Sequence, residues 1–125
     1  MANGIILMPI GGTTEKRQKL YEELSNKIDM VYVGINDIKN VSGNDALKAD
    51  VIISNLKTYM SRCVSHIFFD CDNQTPEQRK VIFDLASTAK YSVVGLVLDT
   101  PSIKYTMVRE APEWDEGFKN IYYKD

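Results

Sequence analysis

Residues 6–20 read ILMPIGGTTEKRQKL. An apolar run closes on Pro9, two glycines and two threonines follow, and then comes a stretch of helix formers. That succession predicts a strand, a glycine loop and a helix start, the layout that can hold phosphate groups on exposed backbone N–H donors. The full phosphate-binding consensus, G-x-x-x-x-G-K-[ST], is absent: no lysine stands before Thr13, and Glu15 follows Thr14. Taken alone, the same residues read sooner as a tight glycine turn with a threonine cap, a structure that needs no ligand.

Working outward, apolar runs and helical periods alternate along the chain. GIILM (4–8) predicts a strand buried on both faces. Across 15–28, Leu20, Leu24 and Ile28 recur every four residues, which gives a helix one apolar stripe. MVYVG (30–34) predicts a second strand. Over 45–63 the residues Leu47, Val51, Ile52, Leu56, Tyr59, Met60 and Cys63 keep helical spacing, so VIIS (51–54) belongs to a helix despite its β-branched content. HIFFD (66–70) predicts a third strand, and TPEQR (75–79) opens a helix with Thr75 as cap, Pro76 in the first turn and Gln78 closing a capping box. Val81, Ile82, Leu85 and Ala89 form its core stripe, and YSVVGLVLD (91–99) predicts a fourth strand. Residues 100–125 predict one or two short helices broken near Pro112, with FKNIYY packing on the core.

Strands separated by helices predict one α/β domain over 1–125, with three layers and a mainly parallel sheet covered by helices on both faces. The chain length suits one such domain, and 44% hydrophobic content suffices for its core. A net charge of -2 supplies no global attraction to nucleic acid or anionic membrane. No apolar run approaches the ~20 residues needed to span a bilayer, so no membrane partner is expected. MANGIILMPIGG lacks the basic start of a signal peptide. Cys63 and Cys71 are not in C-x-x-C spacing and read as buried free thiols of a reducing compartment, cytoplasm or nucleus.

In parallel sheets of this kind ligands bind beyond the carboxyl ends of the strands. Those ends carry residues 9–14, 34–39, 70–73 and 99–102. Together they resemble the polynucleotide kinase branch of the P-loop phosphotransferases, above all the kinase domain of fungal-type tRNA ligases. MPIGGTT resembles that family's P-I-G-C-G-K-T-T, GINDIK its second-strand motif, FFDCDNQTPEQR its third-strand motif with an arginine-bearing helix, and VVGLVLDTP its fourth strand. The likeness spans residues 5–122. It implies the strand order 2-3-1-4, with IILMP central and 30–34 at an edge; periodicity alone leaves a flavodoxin-like order open. It also implies nucleotide contacts at Gly11, Gly12, Thr13, Thr14 and Lys16, and Mg2+ on the Thr13 hydroxyl beside ATP or GTP. Catalytic carboxylates fall at Asp37 and Asp70, and substrate contacts at Lys39, Asn73, Arg79 and Arg109.

The departures from that pattern matter as much. The loop lysine that would neutralise transferred phosphate is missing. Lys16 lies inside the helix and points aside. Glu15 places a carboxylate in the first turn, where a helix start would otherwise hold an anion. Asn36 stands where the family has its proton-accepting acid, and Asn cannot accept that proton. Around Arg109 the chain continues EAPEWDE, which is acidic where the family's lid is rich in arginine. These losses predict an inactive kinase-like domain that binds or scaffolds, with RNA or another protein domain as partner and the oligomeric state open. The other reading is an active 5′-hydroxyl kinase with a rearranged loop, in which Asp37 is the base and Arg79 and Arg109 hold substrate. Bland roles remain beside these: Asp70 as a turn cap, Arg79 as a solvated helix residue, His66 as structural. Trp114, in EAPEWDEGF, is either ordinary packing or a contact surface.

Overall fold

The computed structural model describes residues 3–39, 42–71, 76–98 and 117–123. Strand β1 (Gly4–Ile10) leads to helix α1 (Thr14–Ser25), and β2 (Val31–Gly34) leads through a single 3-10 turn (Ile35–Ile38) to α2 (Asp45–Ser61). Strand β3 (His66–Asp70), α3 (Pro76–Ala89), β4 (Tyr91–Val97) and β5 (Asn120–Tyr123) follow. All pairings are parallel, and the sheet order is β2-β3-β1-β4-β5. The expected α/β fold, with IILMP at the centre and β2 at an edge, is therefore the observed one.

Alternation along β1 assigns its side chains to two layers. Ile6, Met8 and Ile10 pack with Ile52, Leu56 and Met60 of α2 and with Ile82 and Ala86 of α3. Leu7 faces the opposite layer, where Leu20, Tyr21 and Leu24 of α1 meet Phe68 and Leu98. β1 runs through Pro9 to Ile10, two residues beyond the expected end. Its pairing with β3 stops at Leu7, opposite Phe68, whereas its pairing with β4 continues to Ile10 opposite Val97. Pro9 has no N–H to donate, and it lies past the last β1–β3 pair, where a missing ladder donor costs least.

Several expectations need correction. α1 ends at Ser25, so Ile28 falls outside the helix and is 38% exposed. The true stripe begins one turn earlier, at buried Arg17 and Leu20, because a 3.6-residue period carries 17, 20 and 24 together. Val81 does not join the core stripe of α3 and is 50% exposed. Cys63 is exposed and Cys71 half-buried, and neither forms a disulfide. Within FKNIYY, expected to pack on the core, Asn120–Tyr123 add a fifth strand, while the short helices expected near Pro112 fall outside the described residues. Phe118 and Ile121 are buried there, and the Phe118 ring meets Phe83 edge-on at 4.7 Å. Residues 99–116, which include Pro112, Trp114 and the acidic stretch, lie outside the described residues.

Candidate functional site

The loop after β1 turns to α1 on one face, and the chain after β3 continues to α3 on the other. The carboxyl ends of β1 and β3 therefore diverge at a switch point, the place where parallel sheets open a ligand crevice. Only Gly11, Gly12 and Thr13 separate β1 from α1. Both glycines have positive φ, 75° and 73°, which a side chain would oppose. A Cβ on Gly12 would also stand 2.9 Å from Leu98 Cδ1. The phosphate-binding consensus places four residues between its glycines, whereas here the two are adjacent.

Arg17 fills the crevice. Its side chain runs back along the first turn of α1 and is only 2% exposed. Nε donates to Asp70 Oδ1 at 2.6 Å, Nη1 to the Gly12 carbonyl at 3.3 Å, and Nη2 to Thr14 Oγ1 at 3.4 Å. A phosphate site needs N–H donors converging on an anion. This one has a carbonyl, a hydroxyl and a carboxylate converging on a cation.

Asp70, fully buried at the end of β3, is held from its other side. The Tyr32 hydroxyl donates to Oδ2 at 2.5 Å and itself accepts from the Asn36 N–H at 3.1 Å. Burial pushes the Tyr32 phenol well above the usual tyrosine range, and the hydrogen bond to Asp70 pushes it further. The tyrosine thus stays protonated as a donor. Its ring is set by Tyr21 of α1, 5.3 Å away at a steep angle. The end of β2 approaches closely because Gly34 has no side chain: a Cβ there would lie 2.3 Å from the Asp70 carbonyl oxygen.

The residues expected from the sequence divide sharply. Gly11 and Gly12 make the turn, and Asp70 sits in the crevice. The Thr13 hydroxyl accepts the Lys16 N–H at 3.2 Å and so caps α1, while Glu15 occupies the first turn as expected. Lys16 is exposed. Asp37 Oδ2 accepts from the Gly34 N–H at 3.1 Å and from Asn55 Nδ2 at 3.4 Å, which fixes the 3-10 turn. Lys39 is exposed at the end of that turn. Arg79 is fully buried, against the surface reading. Asn73 and Arg109 lie outside the described residues.

Magnesium with a nucleotide does not fit this donor set. Mg2+ takes carboxylate or hydroxyl oxygen together with substrate phosphates. Both Asp70 oxygens already accept hydrogen bonds, the Thr13 hydroxyl caps a helix, and the local cation is bound to a carboxylate. Among the described residues no group of three or more His, Cys, Asp or Glu side chains is placed to hold a metal. No helix among them is long and apolar enough to cross a membrane. No protein-family model and no curated protein matches the chain.

Arg17 and Tyr32, the two side chains that determine the crevice, were not among the sequence candidates. Arg17 carried a signal, since it lies three residues before Leu20 and hence on the buried face of α1. A charge heading an apolar stripe calls for a buried partner, and Asp70 at a strand end was the available acid. Tyr32 carried no comparable signal, because a tyrosine in a strand is ordinary.

Proposed function

We propose that this chain is a kinase-like α/β domain whose phosphate crevice is closed by its own arginine, and that it serves as a binding or scaffolding module without phosphoryl transfer. One observation carries the reading. The Arg17 guanidinium, bound to Asp70 and Gly12 O, lies where the resemblance puts nucleotide phosphate. Transfer of a γ-phosphoryl group depends on cations and N–H donors aimed at the migrating charge. Here the cation is neutralised internally, and the loop offers it a carbonyl dipole of the wrong sign for an anion. The missing loop lysine, Asn36 in place of the base and Glu15 at the helix start support the same reading.

Calorimetry with ATP and GTP in the presence of Mg2+ is the direct test, and no heat of binding is expected up to about millimolar nucleotide. Micromolar binding would sink the proposal. Transfer of labelled γ-phosphate to a 5′-hydroxyl oligonucleotide, abolished by Asp37→Ala, would establish the active kinase in its place.

A further inference from the structure

Away from the switch-point crevice, a concave apolar surface lies on the other side of the sheet. An open trough of about 550 Å3 runs between the N-terminal halves of α2 and α3, over the end of β3. Phe69, Ile52 and Ile82 form its floor, and Ile38, Ile53 and Val81 rise along its walls. Val81 is informative. It belongs by spacing to the apolar stripe of α3, yet it is 50% exposed and faces the trough. The fold does not use it, and an exposed β-branched residue on a helix has neither propensity nor core packing in its favour.

Among the described residues, the charge that lines this surface has one sign. Lys48 is the single charged side chain among the described residues that line it. The Lys48 ammonium forms no ion pair among the described residues. Exposed Lys39 follows Ile38 at one end. Asp37, the acid of the neighbouring 3-10 turn, is turned toward the Gly34 N–H and Asn55. Glu77, exposed in the first turn of α3, is the closest acid in sequence to the α3 wall and does not line the trough.

An apolar trough between two helices, open along its length, matches the surface that receives the apolar face of a third helix through residues at i, i+3 or i+4, and i+7. Lys48 selects the charge of the visitor. We propose that this trough docks an amphipathic helix from a partner protein, with apolar residues over Phe69 and Ile53 and a carboxylate meeting Lys48. The inference rests on the reading of the chain as a binding module, and names the chemistry of what it binds.

A displayed library of helical peptides of about four turns, randomised on one face, provides the probe. Recovered peptides should carry apolar residues at helical spacing with Asp or Glu beside them. They should bind the wild-type chain at least tenfold more tightly than Val81→Glu, a change at a half-exposed site that circular dichroism should show to be folded. Repeating the selection on Lys48→Glu should shift the flanking preference from acid to Lys or Arg. Failure to recover peptides, recovery of peptides without a helical apolar pattern, or equal affinity for wild type and Val81→Glu would each overturn the inference. So would a charge preference unmoved by Lys48→Glu. None of these outcomes touches the nucleotide result, so the docking surface and the closed crevice fail separately.

Discussion

At the scale of single residues, the Arg17–Asp70 pair shows how a buried charge constrains what surrounds it. Two ions taken out of water are costly, and their attraction offsets that cost only when geometry and further hydrogen bonds are good. Here Asp70 has two donors, and Arg17 has Gly12 O and Thr14 Oγ1 as well. Removing one partner leaves the other charge buried and unpaired. Arg17→Met should therefore lower unfolding free energy by about 3–5 kcal/mol. The double variant Arg17→Met/Asp70→Asn should lose clearly less than the sum of the two single changes. Urea titrations of the four proteins give the coupling, and additive losses would contradict a working ion pair.

Tyr32 supplies a pH dependence whose sign follows from its environment. Its phenol is pushed up by burial and by Asp70, so the native chain keeps a proton that the unfolded chain releases near pH ~10. Native protein then binds more protons than unfolded protein, and stability falls as pH rises. The contribution is fully present below about pH 10 and is lost as pH climbs through the raised native value. Tyr91, raised by burial and then by nearby Cys63, adds to the fall. Tyr32→Phe should be less stable at neutral pH by about 1–3 kcal/mol, because Asp70 Oδ2 loses its donor. It should also show a shallower alkaline decline than wild type in urea melts taken from about pH 8 to pH 11. An unchanged slope would mean that Tyr32 does not report the crevice.

At the scale of elements, helix starts and stops were legible to different degrees. The Thr13 cap follows from side-chain chemistry that needs no tertiary partner, and the structure has it. The stops were less legible. Cys63 and Lys90, just after α2 and α3, take left-handed backbone with φ of 56° and 61°, although neither is glycine. Lys90 alone links α3 to β4, and its carbonyl accepts the Asn3 N–H, so the sharp turn is set by the neighbouring strands. A left-handed non-glycine residue costs about 1–2 kcal/mol, part of which glycine returns as unfolded-state entropy. Lys90→Gly should therefore stabilise the chain by about 0.5–1 kcal/mol and raise its thermal midpoint by a few degrees. A lower midpoint would show that the lysine side chain contributes more than the backbone strain it causes.

At the scale of the whole molecule, β5 extends the sheet beyond the expected order, and its burial rather than its propensity places it. A strand of this length has little stability alone, but Phe118 and Ile121 enter the core and Phe118 rests on Phe83 and Gly95. Each fully buried side chain of this size contributes about 1.5–3 kcal/mol. A chain truncated after residue 116 should melt at lower urea and self-associate through the uncovered edge of β4, as size-exclusion chromatography would show. Unchanged stability and a monomeric profile would mean that β5 is peripheral.

The sequence by itself determined the alternation of strands and helices, the parallel sheet and the glycine turn after β1. These depend on periodicity, turn chemistry and the handedness of crossovers, all of which are local or nearly so. It also placed Gly11, Gly12 and Asp70 at the carboxyl edge. The tertiary structure alone decided which side chains meet at that edge. Whether a charged side chain such as Arg17 turns outward to water or inward to Asp70 depends on the position of a strand 53 residues away. Whether Val81 joins the core depends on how α2 and α3 sit on β3. Those outcomes arise from desolvation and shape summed over several elements, and no window of sequence contains them.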